Sequence, residues 1–463
     1  MARLLNLDMS KNFNKISDKL NRLWYNIWQA LPFQWDMLNS VQIYRLLRVC
    51  AQLILSILLV KSGITTDDIG RFEMLLYLAM VLSFFWVNPL LNALLPSYAV
   101  HDDREERLAL SKRLFFVLTF GSIILALILF YGQSIFIPLL TGRNELPYLG
   151  LISIYFIFEF PAYLGEYYYI IRERSKPLQY LGWMSYGLFI LISAAILFSG
   201  GEIKELLYCM IGISVFRYIW VLVEMLGIKG LQFKSGYLNA FLKNTGALAL
   251  YSVLGTIALL FDQWLVGQRF DDESTFAIFR YGARQLPFVT TLLAGFATVF
   301  TFQIAQKGMD ALDEMKARAL KYYHFIFPLI IILIPLAHYL YRVFYSETFD
   351  LSASIFNIYL LVLCSRMMFT GIIFLARKMT MVMVLISIVE LGINIGLSLY
   401  LVQSWGLLGI AAATVIAYYF ERLAHMGYLY FKMGLRPKDY FPVKAYVLYS
   451  AIAWGIFFIV EIL

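Results

Sequence analysis

The sequence predicts an all-α polytopic membrane protein of about 13 transmembrane helices, arranged as two six-helix lobes related by pseudo-two-fold symmetry plus one extra C-terminal helix. Three observations carry this. The 463-residue chain is 61% hydrophobic and 15% charged, with a mean hydropathy of +0.72, whereas a soluble domain carries about 25% charged residues. Thirteen apolar segments are long enough to cross a bilayer as helices, which takes about 20 residues each. Basic residues also alternate from one loop to the next, as they do when a chain threads back and forth through a membrane.

The chain opens on a polar arm, residues 1–40. There Phe13, Ile16, Leu20, Leu23, Trp24 and Ile27 share one helical face, while Lys15, Asp18, Lys19 and Arg22 lie elsewhere. This is the pattern of an amphipathic helix, lying on the membrane surface or packed on the protein's own cytoplasmic face. No cleavable signal is read, because the first apolar run starts near residue 41 and no small-residue cleavage site follows. The spans run 41–62, 73–97, 114–131, 147–171, 178–199, 203–226, 243–266, 275–305, 320–344, 353–376, 379–402, 407–430 and 443–462. With residues at span edges counted in the adjoining loops, 25 of the 38 Lys and Arg fall in the arm and even-numbered loops. Only 6 fall in the odd-numbered loops and C-terminal tip, and 7 lie within spans. The positive-inside rule then predicts a cytoplasmic N-terminus and an external C-terminus in a cytoplasmic (inner) membrane.

Spans one to six (41–226) and seven to twelve (243–430) repeat one plan at an offset of about 200 residues. "SVQIYRLLRVCAQLILSILLV" precedes the acidic loop "TTDDIGRFEM" and a span with Pro89; "TGALALYSVLGTIALLFDQWLV" precedes "RFDDESTFAIFRYGARQLP" and a span with Pro287. An even number of spans per half puts the symmetry axis along the membrane normal. Residues 227–242 read as a cytoplasmic linker, and 431–463 as a connector and the additional helix.

A charge at bilayer depth costs roughly 3 kcal/mol on insertion scales, so intramembrane charges ask for a compensating role. Arg284 lies about nine residues, or ~14 Å, inside its span, with Arg280 one turn away on the same face. Arg48, Arg284 and Arg366 are expected to face a water-filled path, with ion pairing between helices as the competing reading. Arg45 and Arg422 lie close enough to the cytoplasm to snorkel. Arg217 is two turns from Glu224 and is expected to pair with it. The intramembrane acids Glu159, Glu166, Asp262 and Glu390 either neutralise arginines or bind a coupling Na+ or H+. Cys50, Cys209 and Cys364 all fall in apolar segments and read as free thiols, and four scattered histidines show no metal-ligand spacing. No metal or other cofactor is expected. No P-loop, dinucleotide glycine motif or catalytic spacing appears, so a non-enzyme is expected, and nothing points to nucleic acid.

Three stretches carry a family resemblance: "LLRVCAQLILSILLVKSGITTDDIGRFEML", "FDQWLVGQRFDDESTFAIFRYGARQLPFV" and "LGINIGLSLYLVQSWGLLGIAAATVIAYYFER". In order and spacing they resemble the polysaccharide and lipid-linked oligosaccharide flippases (O-antigen flippase-like) of the multidrug/oligosaccharidyl-lipid/polysaccharide exporter superfamily, over roughly residues 40 to 430. The resemblance implies two lobes rocking around a central cavity, and a lipid-linked, often pyrophosphate-linked, sugar carried from the cytoplasmic to the outer leaflet for cell-surface polysaccharide biosynthesis. Membrane lipids and glycan polymerase or ligase machinery are the partners it implies. In related lipid II flippases an arginine stands just ahead of a similar "QLP", which carries over to Arg284, and the arginine of the family's first span carries over to Arg48. A pyrophosphate site of Arg48, Arg284, Arg280, Arg366 and Arg45 is therefore expected, because a guanidinium donates in pairs to phosphate oxygens and stays ionised. The thirteenth span departs from the family's usual even count. A cation-coupled multidrug antiporter of the same superfamily is the nearest rival, but it calls for an acid-lined cavity. A membrane glycan polymerase or ligase calls for a large external loop, which this chain lacks, and a scaffold gains little from midplane charges.

Overall fold

In the computed structural model, residues 37–91, 104–228, 256–258, 260–284 and 286–461 are described, with Leu94 and Leu254 besides. The amphipathic arm and most of the linker lie outside the described residues. Nine stretches among the described residues are long and apolar enough to cross a membrane. Two of them are too long for one crossing: Phe288–Phe344 has 57 residues and Thr380–Met433 has 54, roughly 80 Å or more of helix against a hydrocarbon core of about 30 Å. The first is divided by a 3-10 turn, Gly308–Asp310, where Gly308 adopts φ 69°, and the second breaks at Gly406, φ 55°. Each therefore holds two crossings. With Thr66–Phe84 and the helix at 260–269, the chain is an all-α protein of about 13 membrane helices in two six-helix lobes plus one.

In the N-terminal lobe, Leu149–Ala162 packs between Arg104–Tyr131 and Ile203–Leu226, while Met37–Lys61 packs on Ser175–Gly182 and Leu188–Phe198. In the C-terminal lobe, Asp350–Arg366 is the central element and touches Ala311–Phe344, Glu273–Gly282 and Thr380–Met433. The thirteenth helix, Val443–Glu461, docks on Ala311–Phe344: Tyr449 stacks on Phe327 with ring centres 5.4 Å apart, and Glu461 Oε1 lies 3.1 Å from His338 Nε2. Large side chains such as Phe120, Ile124, Ile388 and Phe431 stay exposed on the outside of both lobes, as expected of surfaces that meet lipid.

Several spans are broken within their length, which an apolar-run reading cannot see. The eighth divides into Glu273–Gly282 and Pro287–Lys307, because Pro287 starts a helix well but forces Leu286 out of the helical region, to φ −64°, ψ 107°. The tenth divides at Phe369, φ 53°, between Asp350–Arg366 and Thr370–Ala376. The fourth divides beside Pro161, which lacks the N–H an unbroken helix needs, and the fifth carries a π-helical turn at Trp183–Gly187.

The lobes meet chiefly where Thr66–Phe84 lies along Glu273–Gly282. These are corresponding helices of the two halves, and both start with a side-chain cap: Thr65 Oγ1 accepts from the Asp68 N–H, and Asp272 from the Ser274 N–H. The duplicated acidic stretches are thus helix N-termini, where carboxylates complement the dipole. The hydroxyl and N–H of Ser274 hold the Asp272 carboxyl below its ordinary range. At this capped end the backbones nearly touch. A Cβ at Gly70 would stand 1.9 Å from the Glu273 carbonyl oxygen, and one at Gly142 2.2 Å from that of Gly267. Arg143 spans the same seam, donating to the carbonyls of Gly267 (3.2 Å) and Phe270 (2.9 Å).

Candidate functional site: two arginine clusters and a buried acid network

Arg280 and Arg284 are one turn apart and converge on a single carboxylate. Arg284 Nη2 donates to Glu73 Oε1 at 3.2 Å and Nη1 to Ser56 Oγ at 2.6 Å. Arg280 donates to Glu73 Oε2 and to Gln263 Oε1. Arg284 sits in the break before Pro287, where the backbone is no longer helical, and its guanidinium lies 4.5 Å from the centre of the Tyr281 ring. Glu73 and Ser56 belong to the N-terminal lobe and the arginines to the C-terminal lobe, so this cluster is part of the seam.

A second cluster forms on the N-terminal lobe. Arg45 Nε lies 2.5 Å from Glu166 Oε1, and Arg48 Nη1 lies 3.6 Å from Glu166 Oε2. Glu166 is buried, while the Arg45 and Arg48 side chains are 48% and 33% exposed. In both clusters two guanidinium groups share one carboxylate, leaving a formal surplus of one positive charge each. Arg48 and Arg284 thus each stand beside a glutamate, Glu166 and Glu73, as a midplane guanidinium takes a carboxylate within reach. The Arg366 guanidinium lies 5.4 Å from the centre of the Tyr418 ring, within the C-terminal lobe.

Glu159 is held by Arg217 and by the Ser214 hydroxyl at 2.7 Å, all deeply buried. This corrects the expected Arg217–Glu224 pair. Two turns of helix separate those residues by roughly 10 Å, whereas Glu159 faces Arg217 directly across a helix contact. Glu224 instead accepts from the hydroxyls of Tyr168 and Tyr169, each at 3.1 Å.

Asp262 and Glu390 have a different environment. Asp262 Oδ2 accepts from Tyr359 (3.0 Å) and Thr414 (2.6 Å), and Asn394 Nδ2 donates to the same Thr414 oxygen at 3.1 Å. Asp262 Oδ1, Glu390 Oε1 and Asn394 Oδ1 are buried with no hydrogen-bond partner. Three orphaned acceptor oxygens around one network suit a cation or an added proton. A pocket of about 650 Å³ lies elsewhere, between Arg104–Tyr131 and Leu149–Ala162; it is lined by Ile123, Phe130, Leu149 and Ile154 and takes in none of these charges.

Glu73, Ser56 and Gln263 were not singled out by sequence reasoning. The span boundary at 73 puts Glu73 at an edge, after an acidic loop. The signal was present: Thr65 followed by acids at the second and third helical positions marks a start at residue 66 and places Glu73 two turns inside the helix.

Among solved structures, the lipid II flippase MurJ in its inward closed conformation shares this fold, with a TM-score of 0.69 and 16% identity over 91% of each chain. An inward-facing multidrug resistance MATE family transporter of the MOP superfamily gives 0.62, at 13% identity over 87% of this chain and 94% of that one. The Vibrio cholerae MATE transporter VcmN in its bent form gives 0.55, at 14% identity over 91% of this chain and 97% of that one. At such identities the likeness is one of fold alone. No protein-family model matches the chain, and no curated protein sequence does.

Proposed function

We propose that this chain is a flippase that moves a lipid-linked oligosaccharide, joined through a pyrophosphate, from the cytoplasmic to the outer leaflet by alternating access, for surface polysaccharide biosynthesis of the O-antigen kind. The observation that carries the proposal is the pair of arginine clusters, at the seam and on Met37–Lys61, each with surplus positive charge. An anionic headgroup gains from such sites and a cationic drug does not. MurJ, a lipid II flippase, shares the fold and supports a lipid-linked substrate. The multidrug MATE neighbours keep an antiporter as the rival reading, but both acids in these clusters, Glu73 and Glu166, are outnumbered by arginines. Membrane lipids surround the protein, and a glycan polymerase or ligase would take up its product.

Coupling to Na+ or H+ is assigned to Asp262 and Glu390 rather than to Glu159 and Glu166. The latter pair is neutralised by arginine, whereas the former keeps orphaned oxygens. Protein-containing vesicles should move a diphosphate-linked glycolipid to the opposite leaflet faster with a Na+ or proton gradient. Asp262→Asn should remove the gradient effect and leave substrate binding intact. Movement of a cationic dye in place of the glycolipid would establish the antiporter instead.

The N-terminus is proposed to lie in the cytoplasm, with the capped end of the lobes outside, on the basic-residue asymmetry of the loops. Reporter fusions after residues 105 and 310 should report cytoplasm and one after 270 the exterior. A cytoplasmic signal at 270 would reverse the orientation.

A further inference from the structure

Both oxygens of the Glu73 carboxylate are committed across the seam. Glu73 is 2% exposed on Thr66–Phe84, and the two guanidinium groups that hold it belong to the other lobe. Around it the Tyr77 and Phe276 rings lie 5.7 Å apart and Gly70 abuts the Glu273 backbone, contacts that do not respond to an anion. The Arg71–Glu273 pair on the same helices is longer, at 3.9 Å, and its arginine is 41% exposed. Arg284 is the more open arm of the Glu73 bridge, because its side chain is 27% exposed while that of Arg280 is 17% exposed. It is the member of the bridge that an incoming anion reaches most readily.

We infer that Glu73 is a built-in competitor for the substrate's anionic group: a diphosphate that enters at Arg284 and spans to Arg280 one turn away displaces the Glu73 carboxylate from both, and loss of that bridge releases the seam at the capped end. The inference rests on the reading that a diphosphate-bearing lipid binds at Arg284. A diphosphate presents more charge and more acceptor oxygens to the same fork than a carboxylate does, so it wins the exchange. Without substrate the bridge holds the lobes together and the transporter stays shut at this end. Occupancy then drives opening because the ligand favours the state in which the bridge is broken.

Ala277 reports on the seam. It is 0% exposed and shares a helical face with Glu273 and Arg280. Purified protein carrying Ala277→Cys, with Cys50, Cys209 and Cys364 replaced by alanine, is labelled with a maleimide in the presence of farnesyl diphosphate or farnesol. Farnesyl diphosphate should speed labelling about tenfold, within the range typical of coupled sites, and farnesol should not. Glu73→Gln should label fast without ligand and gain nothing from it. If Glu73→Gln fails to fold, the double variant Arg280→Gln/Arg284→Gln removes both guanidinium groups from the other lobe and carries the same expectation. Slow, ligand-insensitive labelling in the bridge variants overturns the inference. Equilibrium binding of farnesyl diphosphate separates the two ideas: binding without faster labelling overturns the latch and leaves the diphosphate site standing, whereas no binding overturns both.

Discussion

Arg284→Ala is expected to abolish glycan export while the protein stays in the membrane at normal abundance. Arg280 continues to hold Glu73 in this variant, so no buried carboxylate is left without a cation. Ser56 keeps the Leu53 carbonyl at 2.7 Å and the Tyr345 hydroxyl at 3.1 Å. The loss therefore falls on the anion. A hydrogen bond to a charged group contributes about 1.5–3 kcal/mol, and losing two from a bidentate fork weakens binding by a factor of 100 or more on that scale. Arg284→Lys should retain about a tenth of the export, because an ammonium keeps the charge and gives up the planar pair of donors. Normal export by Arg284→Ala at normal abundance would make this arginine structural. Undisturbed export with altered sensitivity to cationic dyes would favour the antiporter.

Gly70→Val should disable transport by a different route, through volume rather than charge. A side chain there would meet the Glu273 carbonyl oxygen at 1.9 Å and its carbon at 2.5 Å. Both are backbone atoms within a packed helix and have no rotamer to give way. Overpacking of this kind costs about 1–3 kcal/mol, and here it acts only on the state in which the lobes touch. The closed population should fall by a factor of about 5 to 150. Spin labels at Lys61→Cys and Glu347→Cys, one on each lobe, should move apart, and export should drop in parallel. Gly295→Ala serves as the control, since nothing lies within 4 Å of a Cβ at that glycine. An unchanged label distance in Gly70→Val would show that the seam yields easily.

The contrast between these two variants shows what a linear reading captures. The number of crossings and the doubling of the lobes were legible because each depends on local hydropathy and on repetition. The breaks were less so. Pro287 and Pro161 announce the disturbances in the eighth and fourth spans, but Phe369 and the π-helical turn at Trp183–Gly187 arise from packing that no single segment encodes. Charge pairing was the least legible. Glu73 lies 207 residues from Arg280, and Glu159 lies 58 from Arg217. Spacing along one helix suggested Glu224 for Arg217, yet contact between helices decided the partner. That Arg280 and Arg284 share a face was readable from their separation of one turn; that they share a carboxylate from the other lobe was not.

The docking of the thirteenth helix bears on how the chain is made. Asn357, wholly buried at the centre of the C-terminal lobe, donates to Glu461 Oε1 at 2.5 Å across 104 residues of sequence. His338 reaches the same carboxylate across 123. At ribosomal rates of about 5–20 residues per second, Asn357 enters the membrane roughly 5–20 s before that partner exists. During this interval the nascent lobe holds an incompletely satisfied amide and a bare face on Ala311–Phe344, which suits protection by the insertion machinery. Completion of the C-terminal lobe's centre thus waits on the thirteenth helix, and a chain cut before Glu461 exposes a polar defect there.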